Sequence, residues 1–213
     1  MDIQDRILAK AKELYLQYGI RSITMDMIAL QLGISKKTIY HFFADKNDLV
    51  DAVIADLLDH NKNGCEHEKS KSDNAIHEVF LAKEMAEHMF RTMNPSLLFD
   101  LEKYHPSGFE KYKGFKNEFL YRFIKANLER GLEEGLYRSD IDVEIVCRIR
   151  LETMMLPLSP VFSANPKFQT MDVQHQLIEQ YLFGVASPEG YRLIQKYKEA
   201  PTKKTTPDAI ETN

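Results

Sequence analysis

Three lysines stand at the starts of short predicted helices: Lys36 and Lys37 after Ser35, and Lys46 after Asp45. The helix macrodipole disfavours a cation in a first turn. The same place attracts anions, because the free backbone donors and the dipole both favour negative charge. Lysines there make physical sense when a phosphate sits in front of them. Thr38, Tyr40 and His41 follow on the exposed side of the same short helix. Threonine and tyrosine hydroxyls bond phosphate oxygens, and a threonine methyl can also touch a thymine. His41 could donate to a phosphate or pack against its neighbours. The chemistry this cluster points to is the reading of a nucleic-acid backbone and groove.

The elements that must position these side chains lie in Thr24–Phe43, TMDMIALQLGISKKTIYHFF. Thr24 can cap a helix by accepting a bond from a first-turn donor, and Asp26 sits where the dipole favours an anion. Ile28, Ala29 and Leu32 point inward, and the small Ala29 lets a second helix cross closely. Gly33 is placed where a tight turn needs positive φ. Ile34 plugs the corner, Ser35 caps the next helix, and Ile39 and Phe42 anchor it. This is the outline of a helix-turn-helix. An amphipathic helix precedes it, with Ile3, Ile7, Leu8, Ala11, Leu14, Tyr15 and Tyr18 on one face and Gly19 at its end. A longer helix follows Asp45, to about Gly64, with Leu49, Val53, Leu57 and Leu58 on one side.

Beyond it, EHEKSKSD at 66–73 reads as a joint or an exposed helix extension. Helical periodicity then predicts elements over 74–92, 96–104, 108–135, 142–156, 172–186 and 188–198. Pro157, Pro160 and Pro166 imply a loop between the last long helices. No segment alternates as a strand. The expected fold is all-α: residues 1–64 a DNA-binding head, 65–200 a helical domain joined to it by the helix at 45–64, and 201–213 a polar, disordered tail.

The 213 residues are 44% hydrophobic and 28% charged, with net charge -4 and two cysteines, Cys65 and Cys147, lacking metal-finger spacing. No apolar stretch reaches membrane-spanning length, and the N-terminus lacks secretory-signal features, so a cytoplasmic protein with no membrane partner is expected. Residues 1–64 carry 8 Lys+Arg against 9 Asp+Glu. Positive charge is thus confined to the turn surface, which predicts modest non-specific affinity and reliance on geometric fit.

The run from Ile7 through Leu49 closely resembles the DNA-binding domain of the TetR family. The resemblance rests on the opening helix ending in Gly19, Thr24, Ile28-Ala29, Gly33-Ile34-Ser35, Thr38-Ile39-Tyr40, Phe42 and Lys46. It covers about a quarter of the chain. It implies that the third helix enters the major groove, with Lys36, Lys37, Thr38, Tyr40 and His41 contacting DNA, and with Lys46 and Thr24 on backbone phosphate. It further implies a C-terminal helical bundle that binds a small-molecule effector and forms a homodimer, reading a pseudo-palindromic double-stranded operator as a repressor. Asn127–Asp142, NLERGLEEGLYRSDID, is similar to the family's end of a long helix and turn. SPEGYRLI is similar to the tail after the last dimerisation helix.

Two-fold-related heads supply the length of site that one short helix cannot. Helices 142–156 and 172–186 are the candidate interface, with Val143, Val146, Ile149, Leu156, Leu177, Ile178, Tyr181, Leu182 and Val185 as a shared seam or as monomer core. Met85, Met89, Phe90, Phe99, Tyr112, Phe119, Phe123 and Met154 could line a pocket for a lipophilic or aromatic effector, or serve as bundle core. No catalytic motif appears, and no cofactor or metal is expected. His77, Glu84 and His88, or Cys65 with His67, read as surface residues rather than ligands. The competing reading is a helical adaptor whose helix-turn-helix binds protein.

Overall fold

A computed structural model describes residues 2–199; the tail expected over 201–213 lies outside the described residues. The elements are α1 Ile3–Tyr18, α2 Met25–Leu32, α3 Lys36–Phe42, α4 Lys46–Lys71, α5 Ala75–Thr92, α6 Leu97–Tyr104, α7 Pro106–Gly114, α8 Tyr121–Glu133, α9 Val143–Thr153, α10 Pro160–Ser163, α11 Thr170–Val185 and α12 Pro188–Glu199. Among the described residues there is no strand, only one isolated bridge between Tyr137 and Ala186. The chain is all-α, as its periodicity predicts.

Short polar side chains start these helices where the sequence places them. Thr24 Oγ1 accepts from the Met27 amide at 3.2 Å, Ser35 Oγ from Thr38 at 3.1 Å, and Asp45 Oδ1 from Asp48 at 2.9 Å. Asn74 and Asp142 do the same for α5 and α9. Each cap satisfies a donor that the helix itself leaves free, and its loss typically costs about 1 kcal/mol. Gly33 ends α2 at φ +64°, a conformation in which a Cβ would be strained. The tight corner between α2 and α3 depends on it.

Two elements differ from the sequence reading. Helix α4 does not stop near Gly64; it runs 26 residues to Lys71, so residues 66–71 are the extension and only the end of the polar run is a joint. Glutamate and lysine are good helix formers, and Glu68 and Lys71 pair across one turn. A domain boundary at residue 64 therefore falls inside a continuous helix. The single helix expected over 108–135 is two helices bridged by a π-helical segment, Phe115–Leu120. Its register shift stacks Phe115, Phe119 and Phe123 in a ladder with centroids 5.4 and 5.9 Å apart.

The molecule has two cores. The first gathers α1–α4 around Ile7, Ile28, Ile39 and Leu49, all fully buried, and takes in Phe90, Met93, Leu97 and Leu101 from α5 and α6. The second packs Ile76, Leu128, Cys147, Leu151, Leu182 and Ile194 from α5, α8, α9, α11 and α12. Gly131 makes the second possible: a Cβ there would stand 2.1 Å from the Tyr137 ring. Tyr137 is thereby seated to donate to Asn127 Oδ1 at 3.0 Å, while Asn127 Nδ2 donates to the Ala75 carbonyl at 2.9 Å. These bonds tie the start of α5 to α8 in the interior.

Candidate functional site

The helix-turn-helix presents its candidate DNA contacts on one surface. Thr24, Lys36, Lys37, Tyr40 and His41 are exposed, while Ile39 between them is fully buried and holds α3 against the head. Lys37 makes no ion pair among the described residues. Lys36 donates to Asp26 Oδ2 at 2.8 Å and lies 5.9 Å from the Tyr40 ring centre. The hydrogen bond to Asp26 holds its pKa above the ordinary lysine value. Thr38 is half-buried, with its hydroxyl 2.8 Å from that of Ser35. The surface also carries Met27 and Leu30, the latter 81% exposed, an apolar pair on α2 that the sequence reading did not single out.

Lys46 departs from its expected role in the DNA-free chain. Its ammonium turns inward and donates to the Ile20 carbonyl at 2.7 Å, and burial lowers its pKa. It braces the turn between α1 and α2 instead of standing free on the phosphate-facing surface. The buried carboxylate of Asp100, on α6, completes that brace by accepting from the Arg21 amide at 3.0 Å. Asn94, just before α6, donates its amide to the Leu16 carbonyl at 2.7 Å. The reading head is thus clamped by a helix outside residues 1–64, and Asp100 is a residue that sequence reasoning missed.

Behind the head lies a cavity of about 780 Å³, bounded by α1, α4–α7, the π segment, α8, α9 and α11. Its walls are mostly apolar. Met85, Met89, Phe90, Tyr112, Phe123 and Met154 line it as the sequence analysis expected. Phe99 and Phe119 do not. Phe99 is exposed on the outer face of α6 beneath the Lys103 ammonium, because it sits a half-turn from Leu97 and Leu101, which face inward. Phe119 is held between Phe115 and Phe123 in the aromatic ladder, and only those two rings reach the cavity. Sequence reasoning also missed two polar groups on the wall, Arg150 and Gln174. A single polar residue within an amphipathic helix reads as surface.

The seam expected for a second subunit divides. Ile178, Leu182 and Val185 belong to the monomer's own core, and Leu177 and Tyr181 line the cavity. Ile149 faces outward at 58% exposed, joined one turn earlier on α9 by Ile145 at 57%.

Among the described residues no group of three or more His, Cys, Asp and Glu side chains is placed to hold a metal, and no helix is long and apolar enough to cross a membrane. Cys65 and Cys147 are buried and unpaired, and burial pushes the Cys65 thiol up to about 11, away from the thiolate form that reacts.

A capped helix-turn-helix carried on a hollow helical bundle defines a class: a DNA-binding regulator with room for a small molecule. Residues 7–53 match the model of the family described as bacterial regulatory proteins, tetR family. The HTH-type transcriptional regulator YvaF of Bacillus subtilis (strain 168) is 25% identical over 186 residues, covering 86% of this chain and 96% of that protein. The HTH-type transcriptional repressor KstR2 of Rhodococcus jostii (strain RHA1) is 26% identical over 187 residues, covering 85% and 90%. A TetR-family regulator from Agrobacterium tumefaciens superposes with a TM-score of 0.73 at 17% identity, over 86% of this chain and 97% of that one. Over residues 7–53 the chain carries the DNA-binding region of the tetR family, and along most of its length it is similar to HTH-type transcriptional regulators; it is a DNA-binding regulator.

Proposed function

We propose that this regulator is a cytoplasmic, homodimeric repressor whose operator affinity is set by a lipophilic or aromatic effector bound in the cavity behind the head. The observation that carries this reading is the shared wall. Ile54, Leu57 and Leu58 of α4, Leu16 of α1 and Leu97, Leu98 and Leu101 of α6 line the cavity, while Ile54, Leu97 and Leu101 are also buried in the head's own core. A ligand that fills the cavity must press on the elements that hold α3. Cavities of roughly 300–1,000 Å³ are the usual size for small-molecule sites. The effector shifts the equilibrium only as far as it binds the two head spacings unequally. A repressor, KstR2, among the relatives supports the direction of control.

Reading of the operator falls to Lys36, Lys37, Thr38, Tyr40 and His41 on the groove side and to Thr24 at the start of α2. Lys46 reaches phosphate when it leaves the Ile20 carbonyl. Two heads are joined through the α9 faces bearing Ile145 and Ile149, and they read a pseudo-palindrome.

Selection from random duplex DNA, followed by fluorescence anisotropy at two salt concentrations, tests this reading. Lys37→Ala and Tyr40→Ala are each expected to weaken the selected site about tenfold, with Lys37→Ala lowering the salt slope by about one. Ile145→Glu combined with Ile149→Glu is expected to sediment as a monomer and lose the palindromic site. Enrichment of no DNA by the wild-type dimer would instead favour the protein-binding adaptor.

A further inference from the structure

Four lysine or arginine side chains lie on the cavity wall: Lys12, Lys71, Lys116 and Arg150. Three have acidic partners. Lys12 pairs with Asp56 at 2.6 Å, Lys116 with Glu152 at 2.7 Å and Lys71 with Glu68 at 3.6 Å. Arg150 differs. Among the described residues its guanidinium ion-pairs with no carboxylate and donates no hydrogen bond; it lies 5.0 Å over the ring centre of Tyr181, which is itself on the wall. Burial lowers its pKa, yet an arginine stays charged in any protein setting. Arg150 is half-buried, and a charge drawn partly out of water without an acidic partner is costly to the folded state.

A second unsatisfied group shares this wall. Gln174, 4% exposed, has a buried Oε1 with no hydrogen-bond partner. Glu84, the carboxylate on the wall that forms no ion pair, sits in the field of Lys83, Glu87, Glu68 and His77. Glu84 is not among the causes that shift the pKa of Arg150, which are burial and the Tyr181 and Tyr137 hydroxyls.

Resting on the reading of this cavity as the effector site, we infer that the effector is an amphipathic monocarboxylate. Its carboxylate sits on Arg150, and its apolar body lies among Met85, Met154 and Phe123. Gln174 Oε1 accepts from a hydroxyl or amide N–H on the same molecule. A planar guanidinium presents a fork that fits a carboxylate through two parallel bonds. Among the described residues Arg150 is the one lysine or arginine on the mostly apolar wall without a carboxylate partner, and it balances one negative charge. A phosphate monoester, carrying nearly two, would leave one uncompensated.

Matched probes test the inference: cis-parinaric acid, a polyene fatty acid that fluoresces in apolar surroundings, and its methyl ester, which has the same body without the charge. Both are titrated into the full-length protein, into Arg150→Gln and into Met154→Trp, which fills the cavity. The wild type is expected to bind the acid tenfold to a hundredfold more tightly than the ester, the effect of a charge-assisted bond in a desolvated site. Arg150→Gln is expected to abolish that preference while keeping ester affinity, which also reports that the variant folds. Met154→Trp is expected to lose both probes. Equal wild-type affinities, or a preference that survives in Arg150→Gln, would overturn the carboxylate inference and leave the cavity reading standing. Absence of binding by either probe, or undiminished binding of both in Met154→Trp, would overturn the cavity reading and the inference with it.

Discussion

The head and the bundle solve opposite problems with the same element, the amphipathic helix. The head is solid. Ile7, Ala11, Ile20, Ile28, Ile39 and Leu49 are completely buried, and its chemistry is carried outside on Thr24, Lys37, Tyr40 and His41. The bundle is hollow. Its chemistry faces inward, with Arg150 and Gln174 on the wall of an apolar chamber. A surface that must match DNA is held rigid by close packing, whereas a site that must accept a ligand keeps space and flexible methionines. The difference teaches where the proposed effector signal would have to pass: at Ile54, Leu97 and Leu101, the side chains the two designs share.

The contrast breaks most sharply under truncation. Leu49→Ala opens a void in a filled core and is expected to cost about 2–5 kcal/mol in denaturant unfolding. Met154→Ala merely enlarges a chamber that already exists, and under about 1.5 kcal/mol is expected. Equal costs would erase the distinction between solid and hollow regions. Next comes the clamp. Asp100→Ala strips the Arg21 amide of its acceptor and is expected to cost about 1–3 kcal/mol by the same measurement. The variant should also show a smaller effector-induced change in operator affinity, since it loosens the head from α6.

Smaller still is the effect of Asp26. Its carboxylate holds Lys36 in the free protein, so DNA must compete for that lysine. Exposed pairs of this kind are weak, and Asp26→Asn is expected to tighten non-specific DNA binding about threefold in anisotropy at low salt, with no change in thermal midpoint.

The smallest expected effect is a pH dependence at the junction. His105, between α6 and α7, is buried, with Nδ1 2.7 Å from Asn47 Oδ1 of α4. Burial, and then the nearby Lys46 charge, lower its pKa from the ordinary histidine value. A group whose folded pKa is depressed contributes stability above its unfolded pKa, near 6.5, and loses it as pH falls through the folded value. Thermal midpoints should therefore drop slightly below pH 6.5, and the drop should shrink in His105→Gln.

The head was largely legible in the sequence because each of its features has a local signature. Thr24, Ser35 and Asp45 announce helix starts, and Gly33 announces a left-handed turn. The exposed side of a seven-residue helix follows from its buried Ile39. The bundle was legible as helices and not as a chamber. Periodicity says that Phe99 and Phe119 lie on helices, and it cannot say whether a given face meets solvent, a neighbouring ring or empty space. The π segment at Phe115–Leu120 shifts the register, and the single Gly114 before it is too weak a signal to announce a π turn. Asp100, Arg150 and Gln174 escaped for the same reason: their roles are set by partners 50 or more residues away, or by the lack of one.

Helix α4 carries the last consequence. At 26 residues it is about 39 Å long, and it runs unbroken from the corner behind α3, past the cavity, to the joint with α5. A designer grafting this head onto a foreign sensor would be tempted to cut at residue 64, where the polar composition begins. That cut would sever a rod in mid-span and strip away Phe90, Met93, Leu97 and Leu101, four apolar side chains the head relies on. A cut after α6, at residue 104, keeps those four side chains and the Asp100 contact to Arg21. A chimera that respects it carries its own clamp, and one that does not would have to evolve a new floor under α1.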